Sequence, residues 1–401
     1  MLYETRGKVA LDDQNSQDGA FSDPEPFEVK AAGQKLVLYP RGQDRREAML
    51  ELVRSAKQSL KICFYIFATQ GVGIELRDAV VEAAKRGVNV VVIVDSFGAE
   101  ATADFFEDLT NAGGHFVCFS PRVSLRYLIR NHQKMIIADE ERAMFGGFNI
   151  EDDYFAPPEC NGWNDLAIAL DGEAVAGLTE WFDTLYDRVA DNRPGLKDIS
   201  RAVRQWDWQR GGLRWVIGGP TKGLSSWASC VRQDLRKAKC LDMFMAYFSP
   251  PKSLLKCIGQ IGQTGEVRLL MAAKSDNNAT LGATRSLYSY LLERGVKIWE
   301  FSPCKLHTKL LVLDDAVYVG SANFDMRSLY LNLEIMLRIE DKAFADRMRE
   351  FVSEHIEASE RITPELHRKR ATLWNRIRWW AGWVLVSVID YTVARRTNLG
   401  F

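Results

Sequence analysis

The sequence predicts an α/β fold built twice: two similar α/β/α domains, each with a mainly parallel or mixed sheet covered by helices, sharing one active site at their interface. Three observations predict it. Short segments recur in the same order in the two halves of the chain. Runs such as "VNVVVIVD" (88–95) and "VRLLMAA" (267–273) are continuously apolar and flanked by helical periods, as strands covered on both faces are. A chain of 401 residues, 47% of them hydrophobic, is also long enough for two ordinary domains, each with its own core.

Taken in order, residues 1–30 are polar and acidic and end in "SDPEP". They lack the apolar stretch of a signal peptide or a membrane span and read as a flexible lead-in. The first domain is expected over 31–190. In it "RSAKQSLKICFYIF" (54–67) reads as the end of an amphipathic helix entering a buried strand. It can be laid on "RKAKCLDMFMAYFS" (236–249), with Ala56, Lys57 and Tyr65 on Ala238, Lys239 and Tyr247. "NAGGHFVCFSP" (111–121) lies likewise on "ERGVKIWEFSP" (293–303), a helix ending at glycine before a strand. Then "HQKMIIAD" precedes "GGFN" in one half and "HTKLLVLD" precedes "GSAN" in the other. "WNDLAIAL" and "LNLEIMLR" follow, and then helical stretches at 173–187 and 342–357. Residues 191–212, polar with Pro194 and a glycine pair, read as a linker. The second domain is expected over 213–363, and a basic, tryptophan-rich tail over 364–401.

Residues two apart on a strand share a face, so His132 with Lys134, and His307 with Lys309, each point one way. Asp139 and Asp314 have the opposite parity at the strand ends and read as fixing a turn or pairing with a cation. The glycines of "GGFN" and "GSAN" let the backbone approach and present Asn149 and Asn323 beside the histidines. Two histidines, two lysines and two amides suit a phosphodiester. A neutral imidazole can attack phosphorus while a protonated one gives the departing alcohol its proton. Ammonium and amide groups can hold the non-bridging oxygens as charge spreads over them. This chemistry calls for no metal and no cofactor. Each imidazole needs its second nitrogen fixed, and Asp165 and Glu334, at equivalent places in the repeat, are the candidate orienting acids. A single HxKx4D match would be weak, but two in register within a repeat are not. Of the five histidines, His115, His355 and His367 read as structural or solvated.

Composition narrows the classes further. Seven dispersed cysteines with no CxxC pair indicate reduced thiols rather than a zinc site or disulfides. A formal net charge of −1 argues against a nucleic-acid partner.

The doubled "HQKMIIAD…GGFN" and "HTKLLVLD…GSAN" resemble the HKD motifs of the phospholipase D superfamily, over about residues 35–360. "GGFNIEDDY" (146–154), "VIGGPTKG" (216–223), "YFSPPKSLL" (247–255) and above all "GSANFDMRSLYLNLE" (320–334) resemble bacterial cardiolipin synthases. The resemblance implies two phospholipase D-like domains and a covalent phosphohistidine, with His132 as nucleophile and His307 as acid, although the internal symmetry leaves that order open. It also places Asp139 and Asp314 in the catalytic set and supports Asp165 and Glu334 as orienting acids. The implied reaction forms cardiolipin from phosphatidylglycerol, alone or with another phospholipid such as phosphatidylethanolamine. A hydrolytic phospholipase D or a nuclease would carry the same residues. Two departures stand out: Gln133 replaces the arginine common in the first motif, and the interval from Asp314 to Gly320 is one residue shorter than that from Asp139 to Gly146. The transmembrane pair frequent at the family's N-terminus is not found.

The tail offers another route to lipid. Residues 364–401 carry a net +5 against −6 for the rest of the chain, and enclose "WWAGWVLVSVI" (379–389). Eleven helical residues extend about 16 Å, roughly half of a bilayer's hydrocarbon core. Tryptophan and arginine beside so short an apolar run suit an anchor in the interface of an anionic leaflet, or else a helix packed on the body. The expected location is peripheral, on the cytoplasmic face of the bacterial inner membrane. The oligomeric state is not readable.

Overall fold

The computed structural model describes residues 21–120, 129–190, 195–221 and 223–389; most of the expected lead-in, Pro194 of the linker, and Arg395 and Arg396 of the tail lie outside them. The first sheet has eight strands in the order Phe27–Ala31, Gln34–Tyr39, Ala167–Asp171, Arg142–Gly146, Met135–Ala138, Ser59–Phe64, Asn89–Asp95 and His115–Phe119. The second runs Trp208–Arg210, Leu213–Gly218, Glu334–Glu340, Ala316–Gly320, Lys309–Leu313, Cys240–Met245, Glu266–Ala272 and Lys297–Phe301, with Ser359–Ile362 added at the edge. The repeat seen in the sequence is therefore a repeat of topology. Both sheets are mixed. Parallel pairing is confined to the last three strands of the first sheet and to Cys240–Met245, Glu266–Ala272 and Lys297–Phe301 in the second. Helical crossovers such as Val72–Lys85 make those parallel pairs. Each motif strand instead turns straight back into a hairpin, Met135–Ala138 with Arg142–Gly146 and Lys309–Leu313 with Ala316–Gly320.

Five layers result. Helices Gly42–Arg54 and Val72–Lys85 cover the outer face of the first sheet, and Ser226–Leu235 and Lys252–Thr264 that of the second. Between the sheets lie Glu173–Val189 and Lys342–Glu357, whose Trp181, Phe182, Met348 and Phe351 share one apolar core with both inner faces. Each half keeps a core of its own on the outer side of its sheet, and a third apolar cluster, between the sheets, belongs to both. Trp215 of the second sheet donates its indole N–H to the Ala174 carbonyl at 2.8 Å and packs edge-on against Phe145 of the first.

Two boundaries also move. The strand Phe27–Ala31 begins inside the segment read as lead-in and crosses its end; Phe21 packs on Phe301, and buried Asp23 accepts a hydrogen bond from Asn164. The turn into the next strand uses Ala32 and Gly33, both at positive φ. In the segment read as linker, the helix Leu196–Gln205 buries Ile199, Ala202 and Val203, with Trp206 following, and Trp208–Arg210 adds an edge strand. The tail forms helices Pro364–Arg370 and Leu373–Trp383, the latter continuing in wider π-type turns over Val384–Ile389.

Candidate active site

Each motif histidine sits just before its strand, where the chain crosses to the other half. His132 N–H donates to the Leu333 carbonyl at 2.9 Å, and Leu333 N–H to Arg130 at 2.9 Å. His307 and Thr308 N–H both donate to the Asn164 carbonyl, at 2.8 and 3.1 Å. Each histidine is thus stitched to the segment that carries the other half's acid. The pairing is crossed: His132 Nδ1 lies 3.1 Å from Glu334 Oε2, and His307 Nδ1 lies 2.6 Å from Asp165 Oδ2. With Nδ1 engaged, Nε2 is the nitrogen left for substrate. Both histidines line one cavity of roughly 400 Å³, together with Asn149 and Asn323.

The two acids are held differently. Glu334 accepts hydroxyl hydrogen bonds from Ser321 at 2.6 Å and Ser328 at 2.8 Å. Asp165 accepts from the backbone N–H of Leu166 at 2.8 Å, and a Cβ at Gly147 would lie 2.3 Å from its Oδ1. Gly147 and Ser321 occupy the same place in "GGFN" and "GSAN": the glycine leaves room for one acid and the serine supplies a donor to the other.

Lys134 and Lys309 lie beneath the cavity rather than along it, buried, each donating to the carbonyl of its own motif histidine. Burial lowers Lys134 to about 7 and Lys309 to about 8, against the pull of Glu334 and Asp165. Burial also lowers His132 to about 4 and His307 to about 3; the nearby lysine ammonium groups add to the shift, while Glu334 and Asp165 oppose it. Burial disfavours the charged form of Asp165 too, but His307, Lys309 and Arg45 together hold it below the usual carboxylate range. Burial thus favours the neutral form of both imidazoles, each with an acidic side chain behind it.

Asp139 and Asp314 are not brought to the cavity, which corrects their grouping with the catalytic residues. Both have left-handed backbones, φ 56 and 48. Asp139 accepts the N–H groups of Lys57, Gln58 and Ser59, and Asp314 those of Lys239 and Cys240. They pin the motif hairpin to the start of the neighbouring strand, which is the turn-fixing role read from parity. Gln133 links the halves by accepting from the Trp181 indole at 3.1 Å and donating to the Glu334 carbonyl at 3.3 Å. Of the remaining histidines, His115 is exposed. His355 is buried, with Nδ1 2.8 Å from the Phe351 carbonyl, and His367 stacks on Trp379 of the tail.

Sequence reasoning missed several cavity residues. Arg130 and Arg327 bring guanidinium groups to the wall, and Tyr65 and Tyr247 face the cavity from matching places in the repeat. The match between the tyrosines was itself the available signal. Asp276, which accepts from the Tyr247 hydroxyl at 2.7 Å, gave none. A larger groove, beside helix Gly42–Arg54, holds none of the paired groups. Among the described residues no cluster of His, Cys, Asp and Glu is arranged to hold a metal ion.

The family profile for "cardiolipin synthase, PLD-like domain" matches residues 49–186 and 231–356. The chain is 30% identical over 347 residues to cardiolipin synthase 2 of Bacillus anthracis, covering 82% of this chain and 66% of the relative. It is 30% identical over 350 residues to the major cardiolipin synthase of Bacillus subtilis, covering 84% and 72%. The chain thus spans about two thirds of the length of these relatives. In fold it is similar to a crystal structure of phosphatidylserine synthase from Haemophilus influenzae, with a TM-score of 0.70 at 15% identity over 91% of this chain and 97% of that one. The doubled topology, the paired motifs and these matches agree, and the chain belongs to the cardiolipin synthase family of phospholipase D-like domain proteins.

Proposed function

We propose that the protein is a phosphatidyltransferase that forms cardiolipin from two molecules of phosphatidylglycerol, releasing glycerol, through a covalent phosphohistidine. The observation that carries this is the crossed pairing, in which each half's histidine is oriented by the other half's carboxylate above one cavity. Nε2 of His132 attacks phosphorus as the bond to the glycerol oxygen breaks, and His307 protonates that oxygen as it leaves. A phosphatidylglycerol hydroxyl then gives its proton back to His307 and displaces His132. The proton on His307 is acquired with substrate: the phosphodiester anion offsets the ammonium charges that, with burial, disfavour the imidazolium. Asn149 and Asn323, in the cavity wall, meet the non-bridging oxygens, and the two lysines add positive charge from beneath.

Water is the competing acceptor, and retaining the phosphatidyl group on the enzyme until a second lipid arrives is what favours transfer. The reading extends to a peripheral protein on the cytoplasmic face of the bacterial inner membrane. An exposed apolar, basic tail helix supports the membrane association. Among the described residues no helix is long and apolar enough to cross a membrane.

The test is purified protein incubated with phosphatidylglycerol vesicles in chelator, with His132→Ala as control and products identified by mass spectrometry. Cardiolipin and glycerol are expected, with none from the variant. Phosphatidic acid instead would assign the hydrolase.

A further inference from the structure

The helix Leu373–Trp383 and its continuation have two different faces. Inward, Asn375, Trp379, Gly382 and Val386 follow one another at helical spacing. Gly382 meets helix Asn278–Ser286 so closely that a Cβ on it would lie 2.7 Å from the Ala279 carbonyl oxygen. Trp379 stacks on His367 with centroids 5.4 Å apart. At the end of this face Val386 lines the cavity that holds His132 and His307, and Asn277 and Thr280, at the start of the partner helix, line it too.

Outward, the same segment exposes Leu373, Trp374, Ile377, Trp380 and Leu385, at 77%, 68%, 48%, 62% and 51%. Among the described residues, only Ile74 and Phe97 are other large hydrophobic side chains exposed to a comparable degree. The apolar exposure is therefore concentrated on one helix, and that helix is a wall of the active site. Arg376 and Arg378 are exposed on the same helix. A second copy of the chain would bring the same positive charge to this stripe, whereas an anionic leaflet complements it. Tryptophans in this setting suit the headgroup region.

We propose that this helix docks on an anionic leaflet through its outer stripe and thereby holds the cavity mouth at the membrane surface, Val386 forming the wall past which the lipid's phosphodiester enters. The lipid slides in from the leaflet and does not cross water. This rests on the phosphatidyl-transfer reading for the identity of the substrate, though not for the docking itself.

Two measurements on the full chain test it. Tryptophan fluorescence is recorded with phosphatidylglycerol vesicles carrying brominated acyl chains, for the wild type and for the Trp374→Phe, Trp380→Phe double variant. Quenching in the wild type and its loss in the variant are expected; no quenching in the wild type overturns docking, whatever the activity. Turnover is then compared on long-chain vesicles and on monomeric short-chain phosphatidylglycerol. The Trp374→Ser, Trp380→Ser variant is expected to lose about tenfold or more in the ratio of vesicle to monomer turnover. An unchanged ratio overturns the link between docking and substrate entry, and concentration-dependent dimerisation that the double variant abolishes would assign the stripe to a second copy. Wild-type protein that turns over neither lipid form would sink the phosphatidyl-transfer reading while the quenching still decides the docking.

Discussion

Glu334 accepts hydrogen bonds from two serine hydroxyls and faces His132 Nδ1, so the ring is fixed with its Nδ1 proton on the carboxylate side and its lone pair at Nε2. A Glu334→Gln side chain can offer an N–H to Nδ1 instead, which moves the ring proton to Nε2 and takes away the lone pair that the proposed attack requires. The expected loss in kcat is on the order of 10³-fold, with little change in thermal midpoint, and Ser328→Ala should cost less. If kcat stays within a few-fold, the carboxylate does not orient the ring. The lysines set a second expectation. With Lys134 lowered to about 7 and Lys309 to about 8, the ammonium charge is present below those values and lost as pH rises through them. The affinity for dimethyl phosphate, whose own charge is constant, should therefore fall between pH 7 and 9, and Lys134→Arg should flatten the fall. Calorimetric titration across that range measures it. The chemical identity of this site was legible at this scale, because two HxK motifs in register name the groups. The crossed pairing was not, since sequence gives each acid the same repeat position and says nothing about which histidine it meets.

The motif hairpins show what an element needs beyond its pattern. Asp139 turns the chain at positive φ and takes three backbone N–H groups of the neighbouring strand's start, far from the cavity chemistry. Asp139→Ala leaves those donors to water and should cost about 1–3 kcal/mol in stability. At a temperature where the variant stays folded, kcat should remain within a few-fold of wild type. A large fall in kcat without a fall in denaturation midpoint would return this aspartate to the catalytic set. The buried strands and the repeated helices were readable because continuous apolar runs and helical periods are local signals. Phe27–Ala31 was hidden because only Ala31 of its five residues is fully buried and its turn runs through Ala32, which carries no turn signature. The helix Leu196–Gln205 was hidden among charges, although Ile199, Ala202, Val203 and Trp206 keep a helical spacing that a search for punctuation passes over.

At the scale of the molecule, the two halves have one topology, one shared central core and one site, and these are linked. Glu173–Val189 follows the strand that begins just after Asp165, Lys342–Glu357 follows the strand that begins at Glu334, and the core they fill holds the inner faces of both sheets. The packing that joins the halves is therefore continuous with the strands that set His132 against Glu334 and His307 against Asp165. A half on its own would leave its central helix uncovered and its acid without a histidine. Trp215 tests this coupling, because it is fully buried between the halves, with its ring on Phe145 and its N–H on Ala174. Trp215→Ala should cost about 3–5 kcal/mol. Because the core is common, the loss should appear equally in both halves: urea unfolding followed by hydrogen exchange should give one transition for amides of Ser59–Phe64 and Cys240–Met245, shifted together. If only the second half loosens while the first keeps its midpoint, the halves are independent domains that meet at a site, and the shared core does not enforce the crossed geometry.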